Sequence, residues 1–158
     1  MTTAHQRAYY FEDFAIGQQI RTIGRTITES DIVQFAGLSG DWNQIHTDAE
    51  FCKSTPFGAR VAHGPLVFSI ATGLATLTGF IEGTIIAFES VAEWHFQRPV
   101  FIGDTIHADL RVMDKAELQL RTAVPAGRVQ IDVTVKNQRN KSCQKGLWNL
   151  IIRKASFE

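Results

Sequence analysis

Apolar and polar residues alternate strictly along part of the C-terminal half of the chain. Between Val129 and Val135, every second residue is valine or isoleucine, the period of a strand that buries one face. Further segments rich in apolar, aromatic and β-branched residues predict strands at 85–101, 104–113, 117–124 and 147–152. Because short turns separate them, such as the Pro-Ala-Gly sequence after residue 124, we expect an antiparallel sheet.

Residues 64–79 follow a different pattern, because apolar or small side chains occupy nearly every position. Pro65 suits the first position of a helix and Gly79 suits its end. A helix that is apolar around almost its whole circumference belongs in a protein interior. We therefore predict an α+β fold, with a long buried helix wrapped by a curved antiparallel β-sheet, in one domain that covers 1–158.

The N-terminal half contains shorter predicted elements. Residues 18–28 are rich in isoleucine, threonine and arginine and predict a strand or an extended arm. Thr28 and Asp31 have the spacing of a capping box, so a short helix is expected there, ending at the glycines of the Gly-Leu-Ser-Gly sequence. Asp48 is suited to cap a second short helix.

Composition narrows the function classes. The chain has 158 residues, of which 44% are hydrophobic, and 16 basic side chains balance 16 acidic ones without a block of like charge. These values do not favour a nucleic-acid or membrane partner. Cys52 and Cys143 form no metal or redox motif and are expected to be reduced, partly buried thiols. With no secretion signal, a cytoplasmic location is predicted.

Candidate chemistry is concentrated in residues 39–48, Ser-Gly-Asp-Trp-Asn-Gln-Ile-His-Thr-Asp. A carboxylate at Asp41 and an imidazole at His46 can together hold a water, take a proton from it and return a proton to a product. The polar, glycine-marked segment predicts a loop rather than a regular helix. Taken alone, Asp41 and Asn43 also suit turn roles, and His46 also suits a structural role.

A second candidate feature is the sequence His63-Gly64-Pro65, at the predicted start of the buried helix. The first N–H groups of a helix lack internal partners and carry partial positive charge. Because Pro65 has no N–H, Gly64 is the natural donor to a substrate oxygen that gains negative charge. His63 is interpreted first as a structural residue bonded to backbone.

Other motifs are missing from the chain. No His or Cys spacing matches a metal site, and there is no Gly-x-Ser-x-Gly elbow, phosphate-binding loop or dinucleotide fingerprint. We therefore expect no metal and no cofactor, and neither a serine hydrolase, an NTPase nor an NAD enzyme.

Two motifs in this order resemble the MaoC-like, R-specific enoyl-CoA hydratases. They are Phe-Ala-Gly-Leu-Ser-Gly-Asp-Trp-Asn-Gln-Ile-His-Thr-Asp from Phe35 and Ala-His-Gly-Pro-Leu-Val before Phe68. Tyr-Phe-Glu-Asp-Phe and Arg-Pro-Val-Phe-Ile-Gly-Asp-Thr-Ile match the family on either side, so the likeness covers roughly 9–153. The resemblance implies the hot-dog fold, an acyl-CoA substrate, and a homodimer or higher homo-oligomer.

The resemblance also implies roles for individual residues. Asp41 and His46 would be the catalytic pair, and Gly64 would donate its N–H to the thioester carbonyl. Asn43 would hold the loop, and Thr72 would lie near the active site, where relatives often carry serine. Members of the family hydrate trans-2-enoyl-CoA to (R)-3-hydroxyacyl-CoA or run the reverse dehydration.

The chain departs from the family at Gln44, where proline is common, and at Pro65, where Met or Leu is common. Neither change removes a candidate catalytic group. Arg60 and Arg98 are candidates to meet the CoA phosphates, although both also suit a solvated surface. Two alternatives stay open: a hot-dog acyl-CoA thioesterase and a non-catalytic acyl-CoA binding subunit.

Overall fold

The computed structural model describes residues 8–119 and 124–155. A short 3-10 helix, Phe11–Asp13, precedes strands β1 (Gln19–Arg21) and β2 (Arg25–Thr26). Four helices follow: α1 (Glu29–Ser39), α2 (Gln44–Thr47), α3 (Ala49–Lys53) and α4 (Gly64–Thr76). The remaining strands are β3 (Ile85–Phe96), β4 (Thr105–Leu118), β5 (Ala126–Asn137) and β6 (Ser142–Arg153).

All strand pairs of the described sheet are antiparallel, as expected from the short turns. The order is β1-β4-β5-β6-β3, and β2 pairs with β4 beside β1. Alternation along β5 is confirmed, because Val129, Ile131, Val133 and Val135 are all buried. The strand β3 forms one edge of the sheet, and this edge lies beside the candidate site.

Helix α4 packs its apolar side against one face of the sheet. Val67, Ala71, Leu74 and Ala75 are among its buried residues, so the α+β prediction of a helix wrapped by a sheet is confirmed. The helix is less enclosed than expected, because one stripe of it stays exposed in the single chain; this stripe comprises Pro65, Ser69, Gly73 and Thr76. It also ends at Thr76, before the predicted stop at Gly79.

The predicted strand at 117–124 is not a separate element. Glu117 and Leu118 belong to the end of β4, residues 120–123 lie outside the described residues, and β5 already begins at Ala126. The irregular pairing between Val112 and Asp114 explains the error, because a bulge shifts the alternation of one continuous strand.

Both predicted helix caps are confirmed. The Thr28 side chain accepts the Asp31 N–H while the Asp31 carboxylate accepts the Thr28 N–H, which closes the capping box of α1. The Asp48 side chain accepts the Phe51 N–H at 2.9 Å and caps α3. Among the described residues, every helix is too short or too polar to cross a membrane.

Candidate active site

The site begins where α1 ends. Gly40 follows the last helical residue in a left-handed conformation, with φ of 76°, which glycine adopts without the steric cost of a Cβ. The chain therefore turns away from α1, and Asp41 starts the connection to α2. Asp41 Oδ1 accepts the Asn43 N–H at 3.3 Å, and the carboxylate side chain is 52% exposed.

A single helical turn carries His46, which differs from the loop predicted for this segment. The Asn43 side-chain oxygen accepts the Ile45 N–H at 3.2 Å and caps α2. Helix α2 begins one residue later, at Gln44. The cap satisfies an N–H that the short helix leaves unpaired.

His46 is buried and its tautomer is fixed by a backbone carbonyl. Its Nδ1 lies 2.7 Å from the Val61 carbonyl oxygen, and a carbonyl only accepts, so Nδ1 carries the proton. The lone pair therefore belongs to Nε2, which lies 4.0 Å from Asp41 Oδ2. Burial, the largest cause, lowers the pKa of His46, and the neighbouring His63 adds to this lowering against the opposing effects of Val61 and Asp41.

Two acceptors therefore face one another across a short gap. A distance of 4.0 Å is too long for a hydrogen bond, and neither the Asp41 carboxylate nor neutral His46 Nε2 has a proton to donate. A water placed beside them can donate one O–H to each acceptor. This arrangement suits the activation of a water by a general base.

His63 contacts both members of this pair. Its Nε2 donates to the Asp41 carbonyl oxygen at 2.9 Å, as expected from its interpretation as a residue bonded to backbone. Its ring stacks on the ring of His46, with centroids 3.7 Å apart, and the Phe35 ring lies 5.1 Å away on another side. Among the described residues, His63 Nδ1 is buried without a hydrogen-bond partner.

Asp41, His46 and His63 bring potential metal-ligand atoms within 4.8 Å of one another. The two imidazoles are stacked with planes inclined by only 28°, and imidazole lone pairs lie in the ring plane. Their lone pairs therefore lie in two nearly parallel planes, with ring centroids 3.7 Å apart, which does not favour convergence on one ion. The geometry suits an acid–base site better than a metal centre.

Gly64 is the first residue of α4 and lines a cavity of about 550 Å³ next to His46. Among the described residues, the Gly64 N–H has no hydrogen-bond acceptor, and the positive end of the helix dipole lies there. The cavity wall is mainly apolar and includes Ile45, Phe57, Val61, Val67, Phe96 and Val100. A similar hollow on the outer face of the sheet is lined mostly by charged and amide side chains.

Thr72 is not brought into this site. It lies two turns along α4 from Gly64, and its hydroxyl donates to the Ser69 carbonyl oxygen at 2.7 Å. Of the arginine candidates, Arg60 is paired with Glu29 at 2.7 Å. Arg98 is exposed and lines the cavity, where its Nη1 donates to the carbonyl oxygen of Ser142.

Three residues that sequence reasoning missed contribute to the site. Val61 supplies the carbonyl that sets the tautomer of His46, and the Phe96 ring lies against Gly64. Gln144 lines the cavity and donates to the Gly64 carbonyl oxygen at 2.9 Å. A signal existed for Gln144, because it is in phase with the buried alternate positions of β6 that include Gly146 and Trp148.

Comparison with known proteins identifies the family. The model of the MaoC like domain matches residues 12–136. The (R)-specific enoyl-CoA hydratase of Rhodospirillum rubrum is 36% identical over 129 residues, covering 78% of this chain and 87% of that protein. Protein MaoC of Klebsiella aerogenes is 38% identical over 119 residues, but its match covers 75% of this chain and only 35% of that protein.

Solved structures agree with the fold. The monoamine oxidase regulatory protein from Archaeoglobus fulgidus superposes with a TM-score of 0.86 at 39% identity, over 96% of this chain and 99% of that one. A Mycobacterium tuberculosis protein with a double hot-dog fold superposes with a TM-score of 0.80 at 20% identity, over 94% of this chain and 45% of that one. The hot-dog fold is confirmed, and the chain belongs to the family of MaoC-like domains.

Proposed function

We propose that this protein is a hydro-lyase that adds water to trans-2-enoyl-CoA to give (R)-3-hydroxyacyl-CoA, or runs the reverse dehydration. One observation carries the proposal: Asp41 Oδ2 and the unprotonated Nε2 of His46 lie 4.0 Å apart, beside a cavity whose wall contains Gly64. A pair of acceptors holds a water, and a helix N-terminus stabilises an enolate-like oxygen. The function in the name of the Rhodospirillum relative supports the same reaction.

In the forward direction, Asp41 and His46 orient a water toward C3 of the enoyl thioester. One member of the pair accepts a water proton as the oxygen bonds to C3, and a proton is delivered to C2 on the same face. The thioester oxygen gains negative charge in between, and the Gly64 N–H stabilises it. Water is the only co-reactant, because the proton delivered to C2 balances the one that the pair takes from the water, so the reaction needs no metal or cofactor.

Three further residues differ in the part they have in this mechanism: two support the catalytic pair and one has no role. Asn43 and His63 support the pair, because Asn43 caps the turn that carries His46 and His63 holds the Asp41 backbone. Thr72 is bonded within its own helix, and we assign no step to it.

The substrate enters as an acyl-CoA, and Arg98 at the cavity is the better placed of the two arginines to meet its phosphates. We propose a homodimer or larger homo-oligomer. In support, the edge strand β3 exposes several large apolar side chains: Ile86, Phe88, Val91 and Phe96. Free, buried Cys52 and Cys143 are consistent with a reducing, cytoplasmic setting.

Steady-state hydration of crotonyl-CoA, with the product's chirality determined, tests the proposal. Asp41→Asn and His46→Gln are each expected to lower kcat/KM by roughly 10²–10⁴-fold while the fold is retained. Asp132→Asn and His107→Gln are matched controls, because both residues lie on strands away from the cavity. These controls should keep the turnover of the parent protein.

Other outcomes assign other functions. Release of free thiol from acyl-CoA without hydration would indicate a thioesterase. Thermal stabilisation by CoA without turnover of any enoyl-CoA would indicate a binding subunit. Full hydration activity in Asp41→Asn or His46→Gln would contradict the roles given to these two residues.

A further inference from the structure

Gln144 is a buried polar side chain that connects the sheet to the start of α4. It is 2% exposed and lies on β6. Its Nε2 donates to the Gly64 carbonyl oxygen at 2.9 Å, and its Oε1 accepts the indole N–H of Trp94 at 3.2 Å. Because a carbonyl only accepts and an indole N–H only donates, these partners fix the orientation of the amide.

An irregularity in β3 brings Trp94 to this position. The register between β3 and β6 shifts between Ala92 and His95, and Glu93 adopts a left-handed conformation with φ of 51°. Such a bulge re-aims the side chains beside it. The Trp94 ring is then held by Phe68, whose ring contacts it edge-on with centroids 4.8 Å apart.

Gly146 makes the approach of this bulge possible. A Cβ on Gly146 would lie 2.8 Å from the Cα of Trp94 and 3.0 Å from the carbonyl oxygen of Ala92. Both are backbone atoms of β3, so they cannot give way as the end of a flexible side chain would. The glycine therefore permits the contact through which Trp94 reaches Gln144.

The hydrogen bond from Gln144 restrains Gly64, a residue with a flexible backbone. Gly64 has the greatest backbone freedom of any residue type, and Pro65 after it lacks an N–H. Gly64 lines the cavity, and its N–H has no acceptor among the described residues. A bond to the carbonyl of the same residue limits its rotation and hence the direction of that N–H.

We infer that Gln144 is a positioning residue, anchored by Trp94, that holds Gly64 so that its N–H points at the substrate carbonyl. This inference rests on the proposed hydration and adds to it a residue that acts through Gly64. A side chain that merely satisfies buried polar groups would affect stability and leave kcat unchanged, whereas a positioning residue changes kcat more than KM.

The first test compares Gln144→Leu with Gln130→Leu. Gln130 is also a glutamine of the sheet with a side-chain hydrogen bond, to Asn149 at 3.1 Å, but it lies away from the cavity. Gln144→Leu is expected to lower kcat of crotonyl-CoA hydration about 10- to 100-fold with KM changed less than about 3-fold. Gln130→Leu should match the parent, and a parent-like kcat in Gln144→Leu would overturn the inference.

Gln144→Glu keeps the test decisive even if Gln144→Leu fails to fold. An ionised carboxylate still accepts the Trp94 N–H but opposes the Gly64 carbonyl, whereas the protonated acid can donate to that carbonyl. The ratio of its kcat to that of the parent should therefore rise as the pH falls from about 8 to about 5, since burial raises a carboxyl pKa. A low ratio that does not change with pH would count against positioning.

A measurement without substrate separates this inference from the proposed function. In protein labelled with ¹⁵N-glycine, the Gly64 amide signal should shift further with pH in Gln144→Glu than in the parent and in Gln130→Leu, where the protonation of nearby His46 is the shared contribution. If the parent hydrates no enoyl-CoA but this signal responds, the proposed function fails and the restraint on Gly64 stands. An unresponsive Gly64 signal would refute the restraint itself.

Discussion

The imidazole rings of His46 and His63 lie face to face, with centroids 3.7 Å apart and planes inclined by 28°. Each ring also donates to a backbone carbonyl oxygen in the segment that carries the other ring. His46 donates to Val61, close to His63 in sequence, and His63 donates to Asp41, close to His46. The segment that carries the candidate pair is therefore bound to the segment that leads into α4. This cross-connection sets the distance between the pair and Gly64, which follows His63 directly.

Substitution of His63 tests this connection. His63→Phe keeps an aromatic ring against His46 but removes the donor to the Asp41 carbonyl, whereas His63→Gln keeps a donor and removes the stack. If the hydrogen bond places Asp41, His63→Phe should lose about 10- to 100-fold in kcat, and His63→Gln should lose less. Steady-state hydration with thermal unfolding as a folding control measures both, and full turnover in His63→Phe would disprove the connection.

The lowered pKa of His46 predicts how activity depends on pH. Burial holds this pKa below its ordinary value of 6.5, so the ring is neutral at pH 7 and its Nε2 is free to accept a proton. Hydration should keep its plateau through neutral pH, and kcat/KM should fall only at pH values below 6.5 as the ring becomes protonated. A titration midpoint above 6.5 that disappears in His46→Gln would contradict this prediction.

The lowered pKa of His46 also predicts how the free energy of unfolding depends on pH. A buried histidine with a lowered folded pKa binds fewer protons than the unfolded chain, so the free energy of unfolding rises with pH across the window below 6.5. Above the unfolded pKa, this contribution no longer changes. Denaturant unfolding at several pH values measures this dependence in the parent and in His46→Gln. The free energy of unfolding should rise less steeply with pH in the variant.

Local patterns predicted the parts of this molecule that depend on near neighbours in the chain. The capping box of Thr28 and Asp31 and the alternation of β5 both follow from residues a few positions apart, and both were predicted. The one-turn helix of His46 was not, because its cap by Asn43 depends on a turn too short to produce a periodic signal.

The elements that complete the site depend on contacts between distant positions. The bulge at Glu93 has no glycine on its own strand to mark it, yet it brings Trp94 to Gln144 across 50 residues of sequence. The same bulge leads to Phe96 beside Gly64. Such relations follow from the register of β3 on β6, which one-residue irregularities decide and residue patterns do not reveal.

The cap of α2 provides a fourth prediction. Asn43→Ala removes the acceptor of the Ile45 N–H and should cost about 1 kcal/mol in the free energy of unfolding. Because the capped turn carries His46, kcat should fall as well. Asn43→Ser restores a capping oxygen and should recover most of both losses; equal kcat in the alanine and serine variants would show that the cap has no part in activity.

A substitution at Gly64 tests the role of its N–H in activity without a large change in stability. A Cβ at this position would lie 2.6 Å from a ring carbon of Phe96, and that side chain is 60% exposed and can swing away. Gly64→Ala should therefore fold with a stability close to that of the parent, because alanine also favours a helix. Its kcat/KM should nevertheless fall roughly 10²-fold, since the methyl group keeps the substrate carbonyl from the N–H.

Phe96→Ala separates this effect from the displacement of the ring. If the methyl group itself blocks the carbonyl, Phe96→Ala keeps most of the parent's kcat/KM, and Gly64→Ala combined with Phe96→Ala stays as impaired as Gly64→Ala alone. If displacement of the Phe96 ring causes the loss of kcat/KM in Gly64→Ala, Phe96→Ala alone is already impaired. Adding Gly64→Ala to Phe96→Ala then lowers kcat/KM no further. The first result is expected, because Gly64 is the residue at the positive end of α4, whereas Phe96 contributes only an exposed apolar wall.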